Sequence, residues 1–418
     1  MTAEKNIFNV TDTNSRGYGI IKDNGKVIFV AESVEGDVCR IEKTDEKKNY
    51  STARVTELIT SSPYRINPDC PCFETCGGCS LRHVSYEQEL KIKRNTVSSA
   101  FRRAGISVDV SETLRPSPDG YRNKVSFKVS GSRIGFFKKE TNSFISLENE
   151  TCKNAPGIIT RIASEIAEFA FSQNIRIEEI VIRRSTGGML SAQIIVEGSE
   201  KKYDSLNCFS DRFASLSVKN ITTGKTHRIF GEGGIRTEAF GLSLFVSDES
   251  FFQVNYDGAE LMFGVISSIF SDISFDLCAD LFCGTGVWGL ALAKRFPDKL
   301  FYGVDLNESA IGDATRNAEI NGIENITFFC GDASMKTDLG SPDAVIVDPP
   351  RAGLSPGMID TIISIKPDNL IYISCNPFTL ARDAVKLTES GYSIKTVIPI
   401  DLFPRTEHVE TVCLLCKQ

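Results

Sequence analysis

The sequence lacks any apolar run of the roughly 18 residues that a membrane-spanning helix requires. It lacks internal repeats and low-complexity segments, and its first residues, MTAEKNIFNV, do not show the charged-then-apolar pattern of a signal peptide. A cytoplasmic protein with no membrane association is the expectation. It also lacks an excess of positive charge. A net charge of -7 excludes a generally basic nucleic-acid binder and confines any RNA or DNA site to a local patch. A paired-cysteine framework is missing as well: 13 cysteines are an odd number scattered through a long chain, which favours metal or thiolate chemistry over disulfides. What is present is ordinary globular material, 418 residues with 41% hydrophobic and 24% charged side chains, enough for two or three domains.

The last third carries the clearest pattern. From Phe275, apolar strand-like runs alternate with amphipathic helical stretches: FDLCADLF, KLFYGVDL, NITFFCGD, DAVIVDPP and NLIYIS are the strands, and SAIGDATRNAEING is one of the helices between them. This alternation predicts an α/β fold with a doubly wound parallel sheet. The last two strand patterns, YSIKTVIPIDLFP and HVETVCLLCK, are joined by a link too short for a parallel crossover, and so predict a terminal antiparallel hairpin.

In open sheets of this kind ligands gather beyond the carboxyl ends of the strands. After the first strand comes CGTGVWG, whose Gly284, Gly286 and Gly289 fit G-x-G-x-x-G and allow a tight turn and close approach of a ligand to backbone. Asp305 ends the second strand, where a carboxylate can accept hydrogen bonds from both ribose hydroxyls of an adenosine, and Asp332 ends the third, within reach of an adenine amino group. The plain alternative for each is a cap or turn residue. In VDPPRAGL two prolines fix an extended exit that aims Asp348 into the cleft. The fifth strand runs into Cys375, and Asn376 and Pro377 end it there. A free cysteine is ordinarily a small buried hydrophobe. At this edge it is a candidate nucleophile. A group-transfer enzyme acting on a planar nucleobase calls for such a set; the rival class is an NAD-dependent oxidoreductase using the glycine loop.

The motifs DLFCGTG, DPPRAGL, SCNPFTLARD, FFQVN and FPRTEHVETVCLL together resemble those of the RNA 5-methyluridine (uracil-5-) methyltransferases, enzymes that use S-adenosylmethionine on transfer or ribosomal RNA. Phe282 and Asp305 stand where that family typically has Tyr and Glu. The resemblance implies that Cys375 adds to carbon 6 of uracil to activate carbon 5, and that Glu410 removes the carbon-5 proton. His408 competes for the role of base, since on a strand it would share a face with Glu410. The resemblance also places Gln253 at the methionine end of the cofactor and Phe282 against it.

A second group of residues lies in CPCFETCGGCS, with Cys70, Cys72, Cys76 and Cys79. By spacing alone, zinc and an iron-sulfur centre fit equally. The family resemblance implies a [4Fe-4S] cluster on Cys70, Cys76, Cys79 and Cys152, leaving Cys72 spare. A noncatalytic iron-sulfur RNA-binding protein is a further rival, one that would tolerate loss of Cys375. Two stretches, KIKRNTVSSAFRR and YRNKVSFKVSGSRIGFFKK, are basic without acidic residues and are expected to meet RNA phosphates. The second reads as a hairpin turning at Gly131 and Ser132, whose phenylalanines Phe127, Phe136 and Phe137 serve either as stacking platforms or as core. GYGIIKDNGKVIFVAESVEGDVCRI suggests a small barrel similar to a TRAM domain. The expected organisation is a TRAM-like barrel at 1-60, an RNA-binding and iron-sulfur domain at 61-245, and a methyltransferase domain at 246-418. The expected substrate is 23S ribosomal RNA, with the transfer RNA T-loop as alternative. No obligate protein partner is implied.

Overall fold

The computed structural model describes residues 7–147, 152–198, 203–335 and 340–418. Strands β1 to β6 (Ile7–Asn9, Asp12–Thr13, Tyr18–Asp23, Lys26–Ala31, Val38–Glu46 and Tyr50–Thr60) form one sheet in the order β1-β5-β6-β4-β3-β2. Alternation along the strands turns Ile21, Ile28, Val30, Cys39 and Ile41 inward to a small common core. Helix α1 (Tyr86–Arg103) follows. A second sheet holds β7 to β13 (Lys124–Ser130, Arg133–Phe137, Phe144–Ser146, Glu179–Arg184, Leu190–Val196, Ser215–Asn220 and Thr226–Phe230) in the order β13-β12-β11-β10-β7-β8-β9. Helix α2 (Gly157–Ser172) packs on it through Ile159, Ile162 and Ile166. The β7–β8 pair turns at Gly131 and Ser132, with Ser130 opposite Arg133, as the sequence pattern predicts. Phe127 is fully buried and stacks on Phe136, so these two rings are core, whereas Phe137 is exposed.

A two-stranded hairpin of β14 and β15 (Gly234–Ala239 and Leu242–Ser247) precedes α3 (Tyr256–Asp272) and the third large sheet. That sheet contains β16 to β22 (Leu277–Leu281, Leu300–Asp305, Ile326–Cys330, Ala344–Val347, Asn369–Ser374, Tyr392–Ile400 and Glu410–Lys417) in the order β18-β17-β16-β19-β20-β22-β21. Its first five strands are parallel, and β22 runs antiparallel to both β20 and β21, so the expected terminal hairpin is present. Helices α4 to α7 (Val287–Arg295, Glu308–Asn321, Pro356–Ile365 and Pro377–Glu389) cover the two faces. Strands β19 and β20 are buried on both faces, which is why their sequences, AVIV and NLIYIS, are nearly continuous apolar runs. Ser355 and Asn376 cap α6 and α7, each with a proline in the first turn. Strand, cap and helix thus follow within a few residues, and this brings each motif to the carboxyl edge of the sheet.

Two junctions tie the sheets together. On α5, Asp313, Asn317 and Asn321 recur every four residues and bond the backbone of Ser247, Phe245 and Ser243 on β15. Four helical residues advance about 6 Å and two strand residues about 6.6 Å, so the helix face and the strand edge stay in step. The second junction corrects a sequence expectation. Lys93, counted among cations free to meet RNA, is wholly buried, paired with Glu89 one turn away and with Asp401. Burial leaves a lysine charged only when carboxylates replace its lost water. Arg94 is likewise engaged, with Glu112 and the carbonyl of Val110. In the same helix Val97, Ala100 and Phe101 join the core under Tyr372 and Leu380.

Candidate active site

A cavity of 700 Å³ opens at the carboxyl edge of the third sheet. Its lining comes from the ends of β16, β17, β19 and β20, from the segment around Gln253, and from the loop that enters β22. At the end of β16 the chain reverses through Phe282, whose φ is 69°, and the amides of Phe282 and Cys283 both donate to the carbonyl of Val304. Gly284, with φ 53°, has no atom within 4 Å of where a Cβ would stand, so a ligand can lie directly on its backbone. Gly286 has a different role: a Cβ there would meet the Phe328 ring at 2.6 Å, so it serves helix packing and does not line the cavity. The Gly289 amide donates to buried Asp280, whose carboxyl is pushed up to about 7 by burial.

Asp305 accepts from the amides of Gly284 and Asn307, both at 2.9 Å, so it shapes the glycine turn while facing the cavity. Asp332 is not brought in. It is exposed, and its Oδ1 accepts from the amide and hydroxyl of Ser334 in a local turn. Gln253 and Phe282 both line the cavity. Asn255, two residues after Gln253, supplies the cap of α3, so Gln253 is not a capping residue.

At the other end of the cavity stand Asp348, Cys375 and Glu410. Burial pushes the Asp348 carboxyl up to about 6, opposed by the hydrogen bond from the Trp288 indole at 3.3 Å. Burial, reinforced by Asp348 and opposed by Arg351, pushes Glu410 up to about 8. Burial and the two carboxyls push the Cys375 thiol up to about 11, again opposed by Arg351. Each acidic group here therefore resists ionisation of the next, and Arg351 is the shared countercharge. His408 lines the cavity too, but it lies in the loop before β22, which starts at Glu410, so strand periodicity does not relate the two. Burial and Arg351 lower the His408 pKa, and its Nδ1 lies 3.1 Å from Arg351 Nη2, which can only donate. A neutral imidazole held so carries its proton on Nε2 and has no free lone pair for a substrate proton.

A second cavity, of 440 Å³, is lined by Cys70, Cys72, Cys76, Cys79 and Cys152. Burial pushes the Cys76 thiol up to about 11, opposed by the Gly78 amide and reinforced by Cys79, Cys152 and Cys70. The Gly78 amide and the Asn154 side chain donate to the sulfurs of Cys76 and Cys79, and Arg82 stands beside Cys79. Cys72 packs against the apolar core of the second sheet. Among the described residues no group of three or more His, Cys, Asp or Glu converges as a single metal ion requires. A cluster distributes its thiolates over several irons, and thiols sharing a cavity with amide donors and an arginine suit it.

Sequence reasoning did not single out Arg351, Trp288, Asp280 or Arg122. Arg351 and Trp288 lie inside motifs that were read for other residues. Arg122, counted only as an RNA-facing cation, lines both cavities and has a buried Nε with no partner among the described residues.

The strand order, with an antiparallel last strand inserted beside the fifth, and the glycine turn and acid at the ends of the first two strands define an S-adenosylmethionine-dependent methyltransferase of class I. Comparison with known proteins agrees. Family models described as tRNA (uracil-5-)-methyltransferase, methyltransferase domain, and tRNA (uracil(54)-C(5))-methyltransferase TRAM domain match residues 335–418, 279–349 and 8–64. An uncharacterised RNA methyltransferase of Caldanaerobacter subterraneus subsp. tengcongensis is 31% identical, with 98% of each chain covered. One from Listeria innocua is 32% identical over 97% of this chain and 96% of its own. The crystal structure of Pyrococcus abyssi tRNA (uracil-54, C5)-methyltransferase with S-adenosyl-L-homocysteine superimposes with a TM-score of 0.79 at 27% identity, covering 98% of this chain and 100% of that one. The chain belongs to the RNA (uracil-5-)-methyltransferase family and carries that family's N-terminal TRAM domain.

Proposed function

We propose that this enzyme forms 5-methyluridine in RNA through a transient bond between Cys375 and uracil, with Glu410 as the base. The observation that supports this most directly is that Cys375, Glu410, Asp348 and Arg351 share one cavity with Gly284 and Asp305. S-adenosylmethionine, when bound, supplies an electrophilic methyl group; Gly284, Asp305, Phe282 and Gln253 are the residues that would hold it. A uridine flipped out of its stack presents carbon 6 to Cys375. The Cys375 thiol gives up its proton to solvent, and the thiolate so formed adds there and makes carbon 5 electron-rich. Arg351 offsets the charge of the Cys375 thiolate and of the Glu410 carboxylate. Once carbon 5 carries its methyl group, Glu410 takes the remaining proton and Cys375 leaves. A carboxyl near pKa 8 suits proton abstraction around neutral pH.

Denaturing gels of enzyme mixed with RNA and S-adenosylmethionine test these roles. Cys375→Ala is expected to abolish both product and adduct, and Glu410→Gln to accumulate a methylated adduct. Adduct formation by Cys375→Ala would sink the mechanism, and normal turnover by Glu410→Gln with trapping by His408→Ala would transfer the role of base to His408.

For the substrate, a TRAM domain together with a cluster-type cysteine motif favours 23S ribosomal RNA. A second reading, the transfer RNA T-loop, is supported by the family descriptions and by the full-length structural relative, both worded for tRNA. The TRAM domain does not separate the two, because the matching TRAM model is itself described for a tRNA enzyme. Mapping 5-methyluridine in both RNAs after gene deletion decides between them. We further propose a [4Fe-4S] cluster on Cys70, Cys76, Cys79 and Cys152, with a structural role because methyl transfer moves no net electrons. The division at residues 60 and 245 and a cytoplasmic setting belong to the same proposal. No helix among the described residues is long and apolar enough to cross a membrane.

A further inference from the structure

Glu410 stands at the end of the loop 401–409, and that loop is held by residues far back in the chain. The side chain of Asn255 donates to the carbonyl of Leu402, Lys93 to that of Phe403 and Tyr121 to that of Pro404, each at 3.0 Å. Glu89 accepts from the Arg405 amide at 2.7 Å. The last contact is of another kind. The Arg405 carbonyl accepts from two successive amides, Ser80 at 2.9 Å and Leu81 at 3.1 Å, and these residues directly follow Cys79. Arg405 itself has φ 68°, a left-handed conformation that a residue with a side chain keeps only where its surroundings impose it.

We propose that Arg405 is a positioning residue: the cysteine-bearing turn, through the Ser80 and Leu81 amides, locks Arg405 left-handed and thereby sets where Glu410 stands in the reaction cavity. The cysteine pocket and the reaction cavity are then one mechanical unit, and a group held by the thiolates would stiffen the joint from behind. Glu410 faces Asp348 and Arg351 from the end of β19, Cys375 from the end of β20 and His408 from its own loop, so a small shift of the loop changes its whole charge environment. The inference rests on Glu410 being the base.

Two sets of variants test it in the full-length protein. Ser80→Pro removes one of the two donors and keeps every cysteine side chain, and because a proline also restricts the residue before it, Cys79, only samples with wild-type iron and sulfide content are compared. Amide hydrogen exchange over residues 403–409 is expected to quicken at least tenfold, and the ascending limb of kcat against pH to move to lower pH as the loosened loop hydrates Glu410. The second set keeps the donors and changes the joint. Arg405→Asn and Arg405→Val both lose the side chain's ion pair with Glu89 and its bond to the Val84 carbonyl, so the two are compared with each other: Asn, which tolerates left-handed backbone, is expected to exchange at least tenfold more slowly over residues 403–409 than the β-branched Val. Equal behaviour of the Asn and Val variants, or unchanged exchange in folded Ser80→Pro, overturns the proposal. The exchange readout does not depend on which residue is the base, and iron and sulfide assays on the same samples report separately on the cluster.

Discussion

Replacing Glu410 with Gln removes an ionisable group from the interior while keeping its shape. Glu410 is only 7% exposed, and its pKa rises from 4.5 to about 8. A raised carboxyl pKa means that the folded protein holds this proton more tightly than the unfolded chain does. The stability this contributes is complete below about pH 4.5 and is lost as pH rises through about 8. At about 1.4 kcal/mol per pKa unit the loss has a ceiling near 5 kcal/mol, and hydration of the cavity brings it to the order of 2 to 4 kcal/mol. Guanidinium unfolding of the cofactor-free protein at pH 5 and pH 9 measures it. Wild type should weaken between the two pH values by that amount more than Glu410→Gln, so the variant should be equal or slightly weaker at pH 5 and clearly more stable at pH 9. Asp348, pushed up to about 6, contributes its own loss to both proteins and cancels in the comparison. The variant would then be more stable and stalled in turnover, the trade-off expected of a group placed for chemistry. Identical pH dependence in the two proteins would refute the burial argument.

Asp305→Ala should weaken S-adenosylhomocysteine binding about 10- to 100-fold, because ribose hydroxyls lose a charged acceptor worth about 1.5 to 3 kcal/mol. The single tryptophan, Trp288, lines the same cavity and provides a fluorescence readout; an unchanged affinity returns Asp305 to a purely turn-forming role. Anaerobically purified protein should contain iron and sulfide and lose both on Cys76→Ser, whereas one equivalent of zinc without iron would overturn the cluster. Arg351→Met should raise the Cys375 pKa further and slow its alkylation by iodoacetamide at pH 8, and an unaltered rate would show that Arg351 does not govern the thiol. Asn317→Ala should cost about 2 to 4 kcal/mol by leaving the N–H and C=O of Phe245 without partners; a loss under about 0.5 kcal/mol would mean that water replaces the side chain.

Local chemistry made the third sheet legible in the sequence. Doubly buried strands need continuous apolar runs, helices starting at Ser355 and Asn376 need caps and prolines, and these signals act within a few residues of each other. They were enough to identify five parallel strands, to place Asp305, Asp348 and Cys375 at the ends of theirs, and to find the terminal hairpin. Charge and exposure are not local properties. KIKRN read as a cationic surface, yet Lys93 is buried because Asp401, some 300 residues away in the chain, supplies its counterion. Asp332 occupies the same sequence context as Asp305, but it is exposed, its Oδ1 turned to the amide and hydroxyl of Ser334, and it does not line the cavity. The glycine motif likewise divided into Gly284, open to a ligand, and Gly286, packed under Phe328. The sequence alone thus determined the strands of the third sheet and marked the candidate reacting groups, since strands and motifs are written in short-range pattern. Only the tertiary structure decided which groups meet, what their protons cost and how the cysteine turn reaches the loop of Glu410, because burial and countercharge come from segments that are distant in the chain.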